Sequence, residues 1–499
     1  MLVPLDLDNY AREAESFVSA LDREYYLHFA GHKEEFEIEA IYDRHAGLFG
    51  REAVRELRER LEGSSGDERR RGQYLLQFAV EGYLGLQTKA QAAALAEREG
   101  ALEIEFNGSR ESYRQSAIAQ SNEPSSDRRE AIERARLEAL EKHLNPLHEE
   151  VTRRGHELAV ELGWTSYRAM YEELKGIDLE ALERQTRAFN DATAGWYRDA
   201  VGPVLEAETG VGMDALRRSD LAYFFRAKSY DGLFPPDRLV ESFERTMAGL
   251  GIDLHGQSNV LLDLEQRPRK SPRAFCAPVQ VPEEIHLVIP RRGGRDDYAA
   301  LFHEGGHAEH YASVDASLPF EFRYLGDNSV TEGFAFLFEH LTEDPVWLEQ
   351  VLGVTDHSDY LDYVRASKLV FLRRYAAKLA YELELHSDRA SLAEMPGLYA
   401  RLLGEAVGVE WPHLTYLADV DDGYYCANYL RAWALEAQLR RHLRERFGAR
   451  WFASEQAGDL LRSVWQQGQR LSGDELLAEL TGEPIDFSVM IDEVQAPAG

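Results

Sequence analysis

Apolar residues recur at three- and four-residue spacing over most of this chain, with charges between them. That period admits little except α-helix. The stretch AREAESFVSALDREYYLHFAG shows it, as do REAVRELRERLEG, RREAIERARLEALEKHL and LEALERQTRAFNDATAGWY. Each offers one stripe to bury against a neighbouring helix and one solvated face rich in Glu and Arg. The expected fold class is therefore mostly α. Loops at EGSSGDE, QSNEPSSD and FPPD separate the helices, and in the last of these Pro235 and Pro236 forbid a continuing helix.

A chain of 499 residues, 44% of them hydrophobic, has enough material for a sizeable core. Its formal net charge of −32 argues against a nucleic-acid partner, because phosphate backbones need a basic surface. The same charge argues against docking on anionic membranes. It fits either a self-repelling soluble surface or a negative channel that draws in cationic substrates. No apolar run approaches the 18 or so residues of a membrane span, and MLVPLDLDNYAREAES lacks the basic-then-apolar order of a signal peptide. Cys276 and Cys426 stand outside any CxxC pattern, so a reducing, cytoplasmic location is expected. No feature sets an oligomeric state.

The texture changes between residues 272 and 290. RAFCAPV and EIHLVIP read as two short strands split by a proline-containing turn. RRGGRDD then makes a turn, with Asp296 or Asp297 expected to cap the next helix. That helix carries LFHEGGHAEH, which contains the H-E-x-x-H pattern His303-Glu304-Gly305-Gly306-His307. Residues i and i+4 share a helix face, so both imidazoles can meet one zinc ion. Glu304 stands where its carboxylate can reach a water on that ion and act as general base. A catalytic zinc needs a third protein ligand and an open position. Glu332, in NSVTEGFAFLFEHL, is the preferred third ligand, and Glu339, two turns further on, is its rival. Gly305 and Gly306 each cost a helix about 1 kcal/mol relative to Ala. Their expected use is to leave room beside the metal. His310 is either an outer partner of the site or a packing histidine.

These residues, RAFCAPV, EIHLVIP, DDYAALFHEGGHAEH and the later glutamate, resemble the thimet oligopeptidase and oligoendopeptidase F family of zinc metallopeptidases. Gly306 and His310 match the family's longer form of the motif. The resemblance is strongest over residues 270 to 345 and weaker to about 470, where the helical run is expected to end. It implies a two-lobed helical body around a deep channel, with residues 1–195 as an N-terminal lobe and 196–499 as the catalytic lobe. It implies one zinc ion per chain and short peptides as substrates. It also implies oxyanion-stabilising tyrosines from a late helix, here Tyr429, Tyr424 and Tyr425 in that order of preference, with Gly423 expected to expose Tyr424. The histidine that the family places shortly before them is missing. Asp419, Asp421 and Asp422 stand there, and His413 lies further back. A peptide is expected to lie along the strand element near residues 273 to 290.

Two other readings stay open. A carboxypeptidase or dipeptidyl carboxypeptidase of similar layout needs a cation for the free C-terminus, and Arg323 and Arg431 are the candidates. A protein that binds zinc without turnover needs no general base, against which the intact Glu304 speaks.

Overall fold

A computed structural model describes residues 6–106, 108–389 and 391–495. Among them helix dominates, and the strands are confined to one three-stranded sheet and one hairpin. The mostly α class therefore holds. None of the described helices is long and apolar enough to cross a membrane. Helices continue past residue 470, at Gly473–Thr481 and Val489–Gln495, beyond the expected end.

The chain forms two compact units, each assembled from separated stretches. The first takes Met1–Tyr83, Tyr230–His357 and Arg431–Val489, and the second takes Leu84–Ser229, Ser358–Leu430 and Met490–Gly499. The boundary expected between residues 195 and 196 thus falls inside one stretch of the second unit. The reason is physical: helices pair with helices made hundreds of residues later, and local periodicity carries no record of that pairing.

The first unit is built around the three-stranded sheet. Glu284–Val288 is its centre, paired in parallel with Val260–Asp263 and antiparallel with Phe275–Gln280. The two strands expected from sequence are the centre and one edge, and Val260–Asp263 is an additional strand at the other edge. The N-terminal helix, Leu7–Phe29, packs against Phe275–Gln280. It buries Tyr10, Ala14 and Phe17, one stripe at the expected spacing. Its far end is pinned to the sheet by polar contacts. Arg23 donates to both carboxylate oxygens of Glu284, at 2.9 and 2.7 Å, and Tyr26 stacks on His286 with ring centroids 3.7 Å apart.

The helix bearing the histidine motif runs Arg295–Ser313 and packs against both the sheet and a companion helix, Asn328–Glu339. Neither Asp296 nor Asp297 caps it. Gly294, at φ 87°, turns the chain into the helix, and the Arg295 N–H donates to Asp231, from a distant turn, at 3.2 Å. Asp297 instead accepts from the Arg292 N–H at 3.1 Å.

The two glycines inside the motif serve packing rather than space for an ion. A Cβ on Gly305 would sit 2.3 Å from the Phe243 ring. A Cβ on Gly306 would sit 2.7 Å from Ala335 Cα and 2.8 Å from the Phe334 carbonyl oxygen, both main-chain atoms of the companion helix. The room expected beside the metal is thus filled by a neighbour's ring and backbone. Gly306→Ala must push the two helices apart, and overpacking of this kind costs about 1–3 kcal/mol. The expected result is a lowered melting temperature together with weaker metal binding, read by thermal unfolding with and without added zinc.

The second unit is a helical assembly in its own right. Ser358–Leu385 packs against Leu179–Ala194, Tyr197–Thr209 and Met395–Val407. Arg373 ties three of these together, donating to the Ala406 carbonyl at 2.7 Å, the Asn190 carbonyl at 2.6 Å and the Thr193 hydroxyl at 2.6 Å. The antiparallel hairpin Glu103–Phe106 with Ser109–Ser112 also lies in this unit.

Candidate metal centre

Helical phase places His303 and His307 on one face of the motif helix, one turn apart, with ring centroids 4.9 Å apart. The companion helix begins at an Asp327 cap, whose carboxylate accepts the Ser329 N–H at 2.9 Å. One turn in, it presents Glu332 to both imidazoles. Glu332 Oε2 lies 3.4 Å from His303 Nε2 and 3.8 Å from His307 Nε2. One donor atom from each of the three residues falls within 4.8 Å of the others.

The second ring nitrogens are also held. His303 Nδ1 is 2.8 Å from Glu339 Oε2, and His307 Nδ1 is 2.8 Å from the Thr331 hydroxyl. These contacts fix both rings so that each Nε2 faces Glu332. Glu339 faces inward as expected, but it backs His303 rather than competing for the ligand position. Residues that orient a ligating imidazole in this way typically account for about 10–100-fold in metal affinity. Glu339→Gln is therefore expected to weaken zinc binding by that order, measured by competition with a chelator, while the fold stays intact.

The three donors fit a divalent ion. A four-coordinate zinc at about 2.0–2.2 Å from each ligand sets ligand atoms about 3.3–3.6 Å apart, close to the separations here. The charge balance points the same way. Burial would pull His303 down, yet Glu332 and Glu339 outweigh it and hold the ring up at about 10. Burial, helped by the charge on His303, drives His307 down to about 3. The carboxylates thus favour positive charge at this point, which a dication would supply.

Glu304 lies beside the ligands. Its Oε2 accepts the Cys276 N–H at 2.9 Å, so the strand Phe275–Gln280 turns a main-chain donor outward to orient it. Pro278, two residues on along the same strand, has no N–H to give the ladder, which suits an edge strand. Burial raises the Glu304 carboxyl to about 7, against the pull of His303 and the Cys276 N–H. A base poised near neutrality suits proton transfer at ordinary pH.

Other expected residues are placed elsewhere or occupied. His310 is fully buried, stacked against Tyr311, with Nε2 3.4 Å from the Gly468 carbonyl oxygen, so it is a packing histidine. Arg323 donates to the Leu318 and Val281 carbonyls and pairs with Glu15. Arg431 pairs with Asp327 at 3.1 Å and Asp474 at 2.9 Å. Burial opposes ionisation of Asp327, but Arg431 and the Gly473 and Ser329 N–H groups outweigh it and hold the carboxyl down at about 2. Both cations are thus committed to internal carboxylates.

The three tyrosines belong to the second unit. Tyr424 is fully buried at φ 58°, and its hydroxyl donates to the Glu382 carbonyl at 3.4 Å. Gly423 therefore does not expose it: its left-handed turn, at φ 61°, directs the ring inward. Tyr425 and Tyr429 are half-buried and pack edge to face, with centroids 4.9 Å apart. Of the acidic residues that stand where the family has a histidine, Asp419 pairs with Arg374, and Asp421 with Lys378 at 2.9 Å. His413 is exposed in a short turn, His413–Thr415. Glu382, Asp421 and Cys426 form another group of potential donors, but the Lys378 ammonium already stands 3.9 Å from Glu382 and 2.9 Å from Asp421.

Sequence reasoning missed Cys276 as a main-chain donor and Thr331 as the partner of His307. Thr331 directly precedes the chosen ligand, so one turn of helix geometry would have found it. The Cys276 N–H leaves no trace in side-chain pattern.

Two imidazoles, a carboxylate and an adjacent glutamate, held by two packed helices beside a small sheet, define a candidate metal centre of hydrolytic type. No family model matches the chain, and no curated protein matches it. Among solved structures, the fold is similar to that of a protein described as "a putative oligoendopeptidase F from Bacillus anthracis str. Ames". The two share 16% identity with a TM-score of 0.65, over 96% of this chain and 88% of that one.

Proposed function

We propose that this protein is a zinc metallopeptidase that hydrolyses short peptides in the manner of an oligoendopeptidase. The observation that carries the reading is the convergence of His303 Nε2, His307 Nε2 and Glu332 Oε2 with Glu304 next to them. His303, His307 and Glu332 would hold the ion. When bound, zinc supplies a Lewis acid that polarises a carbonyl and lowers the pKa of a water to about 7. Glu304 takes the proton of the attacking water and returns it to the leaving amine. The Cys276 N–H holds that carboxylate in place for both transfers. The peptide lies extended along the outward edge of Phe275–Gln280, where main-chain bonds tolerate many side chains. The free thiols of Cys276 and Cys426 suit a reducing compartment.

Internal cleavage is favoured over removal of C-terminal residues because Arg323 and Arg431 are bound to internal carboxylates. The test is cleavage of internally quenched peptides with both ends blocked, by protein carrying one zinc per chain. Cleavage is expected. Cleavage of unblocked peptides alone would favour the carboxypeptidase reading. Zinc binding with no cleavage across a broad library would leave a zinc-holding protein without turnover.

A further inference from the structure

Exposed aromatic rings gather beside the edge strand. Among the described residues, five large hydrophobic side chains are exposed: Tyr25, Phe29, Ile118, Val160 and Leu261. The last three lie on separate elements, and single exposed residues of that kind are ordinary. Tyr25 and Phe29 differ. They stand one turn apart at the end of the Leu7–Phe29 helix and stack with centroids 5.7 Å apart. Phe36 meets both edge-on, at 5.1 and 5.5 Å. Phe29 in turn meets Phe275 edge-on at 6.5 Å.

The cluster is held in place. Phe36 comes from the loop after the helix, and His28 stacks on its ring at 4.7 Å. The buried Glu24 carboxylate ties that loop down. It accepts the Lys33 ammonium on both oxygens at 2.9 Å and the Glu37 N–H at 2.7 Å. The Ser271 N–H donates to the Phe29 carbonyl at 2.7 Å, which fastens the helix end to the chain that enters the strand. Rings fixed in this way lose little freedom when something covers them.

Position and size say what covers them. Phe275 opens the edge strand Phe275–Gln280, and the next residue, Cys276, gives its N–H to Glu304 at 2.9 Å. Patch and base are thus one residue apart along the strand. At 39% and 40% exposure, rings of about 150–250 Å² each leave on the order of 150 Å² in water, whereas a stable protein interface takes about 800 Å² from each partner. The half-buried Phe36 and Phe275 each add less. That area suits one side chain, not a folded partner.

We propose that Tyr25, Phe29, Phe36 and Phe275 form a subsite for one aromatic or large aliphatic side chain of the bound peptide. The inference rests on the peptidase reading and names the substrate class: peptides with a bulky apolar residue close to the scissile bond. Consecutive side chains of a strand point to opposite faces. A peptide along the free edge therefore sets every second side chain on the face of the Phe275 ring, and one of these reaches the cluster.

Binding and cleavage are measured separately. Zinc-loaded Glu304→Gln protein is titrated by calorimetry with end-blocked peptides of one length, with Phe, Leu or Ala at each position in turn. At one position Phe or Leu is expected to bind about tenfold tighter than Ala, the order that burying one large apolar side chain gives. Tyr25→Ala with Phe29→Ala should remove that preference, and Tyr25→Phe with Phe29→Leu should keep most of it. Both truncated rings are exposed, so the double variant should keep its zinc and its melting temperature, and Phe29→Asn repeats the comparison in a second background. An unchanged preference in these variants, or no apolar preference at any position, overturns the proposal. So does a dimeric parent, by light scattering, that Phe29→Asp makes monomeric with the preference intact, which would assign the patch to a second copy. Wild-type cleavage of the same peptides reports on the peptidase reading by itself. Cleavage with a flat profile would overturn the subsite and leave the peptidase. No cleavage, with the binding preference present and lost on truncation, would end the peptidase reading and uphold the patch as a peptide-binding subsite.

Discussion

Glu304→Gln is expected to keep one zinc per chain and to lose peptide hydrolysis by about 10³-fold, within the range that general-base groups contribute. The amide is nearly isosteric and can still accept the Cys276 N–H, so the fold and the ligand geometry should persist. What it cannot do is take a proton from water. Loss of activity with retained metal would place the defect in proton transfer. Retained activity would remove Glu304 from the reaction and send the search for a base elsewhere.

Glu332→Gln is the second large effect, and it reads out on metal rather than on rate. It replaces the anionic donor between His303 and His307 with a neutral amide, leaving two imidazoles and no charge to offset a dication. Zinc affinity is expected to fall by at least about 100-fold, since ligand charge and geometry set the strength of such sites. The cleanest measurement is thermal. Zinc at about 100 times its dissociation constant stabilises the wild-type fold by about 2.7 kcal/mol through mass action. The same concentration should scarcely move the variant. If Glu332→Gln still responds to zinc like the wild type, the third ligand is another residue, and Glu339 is the first to test.

The grouping of the three candidate donors was legible from sequence because helical phase is local. His303 and His307 follow from a four-residue step, and Glu332 from the helical run NSVTEGFAFLFEHL that comes after them. The strand pair before the motif was legible too, from its β-branched and aromatic runs. Three things were not. The motif's glycines answer to Phe243 and to the backbone at Ala335, and no local pattern announces which atoms will crowd a helix. Tyr424 could not be separated from Tyr425 and Tyr429, because burial of one aromatic among three depends on the turn at Gly423 and on what packs there. The division of the chain was also hidden, since it depends on long-range pairing.

The composition of the first unit carries a cost in time. Its N-terminal helix comes from the stretch ending at Tyr83, its sheet and motif helices from the one ending at His357, and a third stretch ends at Val489. On a ribosome adding roughly 5–20 residues per second, the first stretch would wait on the order of 20–80 s for the last. Until Phe275–Gln280 is made, the Leu7–Phe29 helix has its apolar stripe and nothing in the sheet to lay it on. Completion of the first unit is therefore a late event in synthesis. A ribosome stalled before residue 431 should display the histidine motif in a unit that still lacks its third stretch.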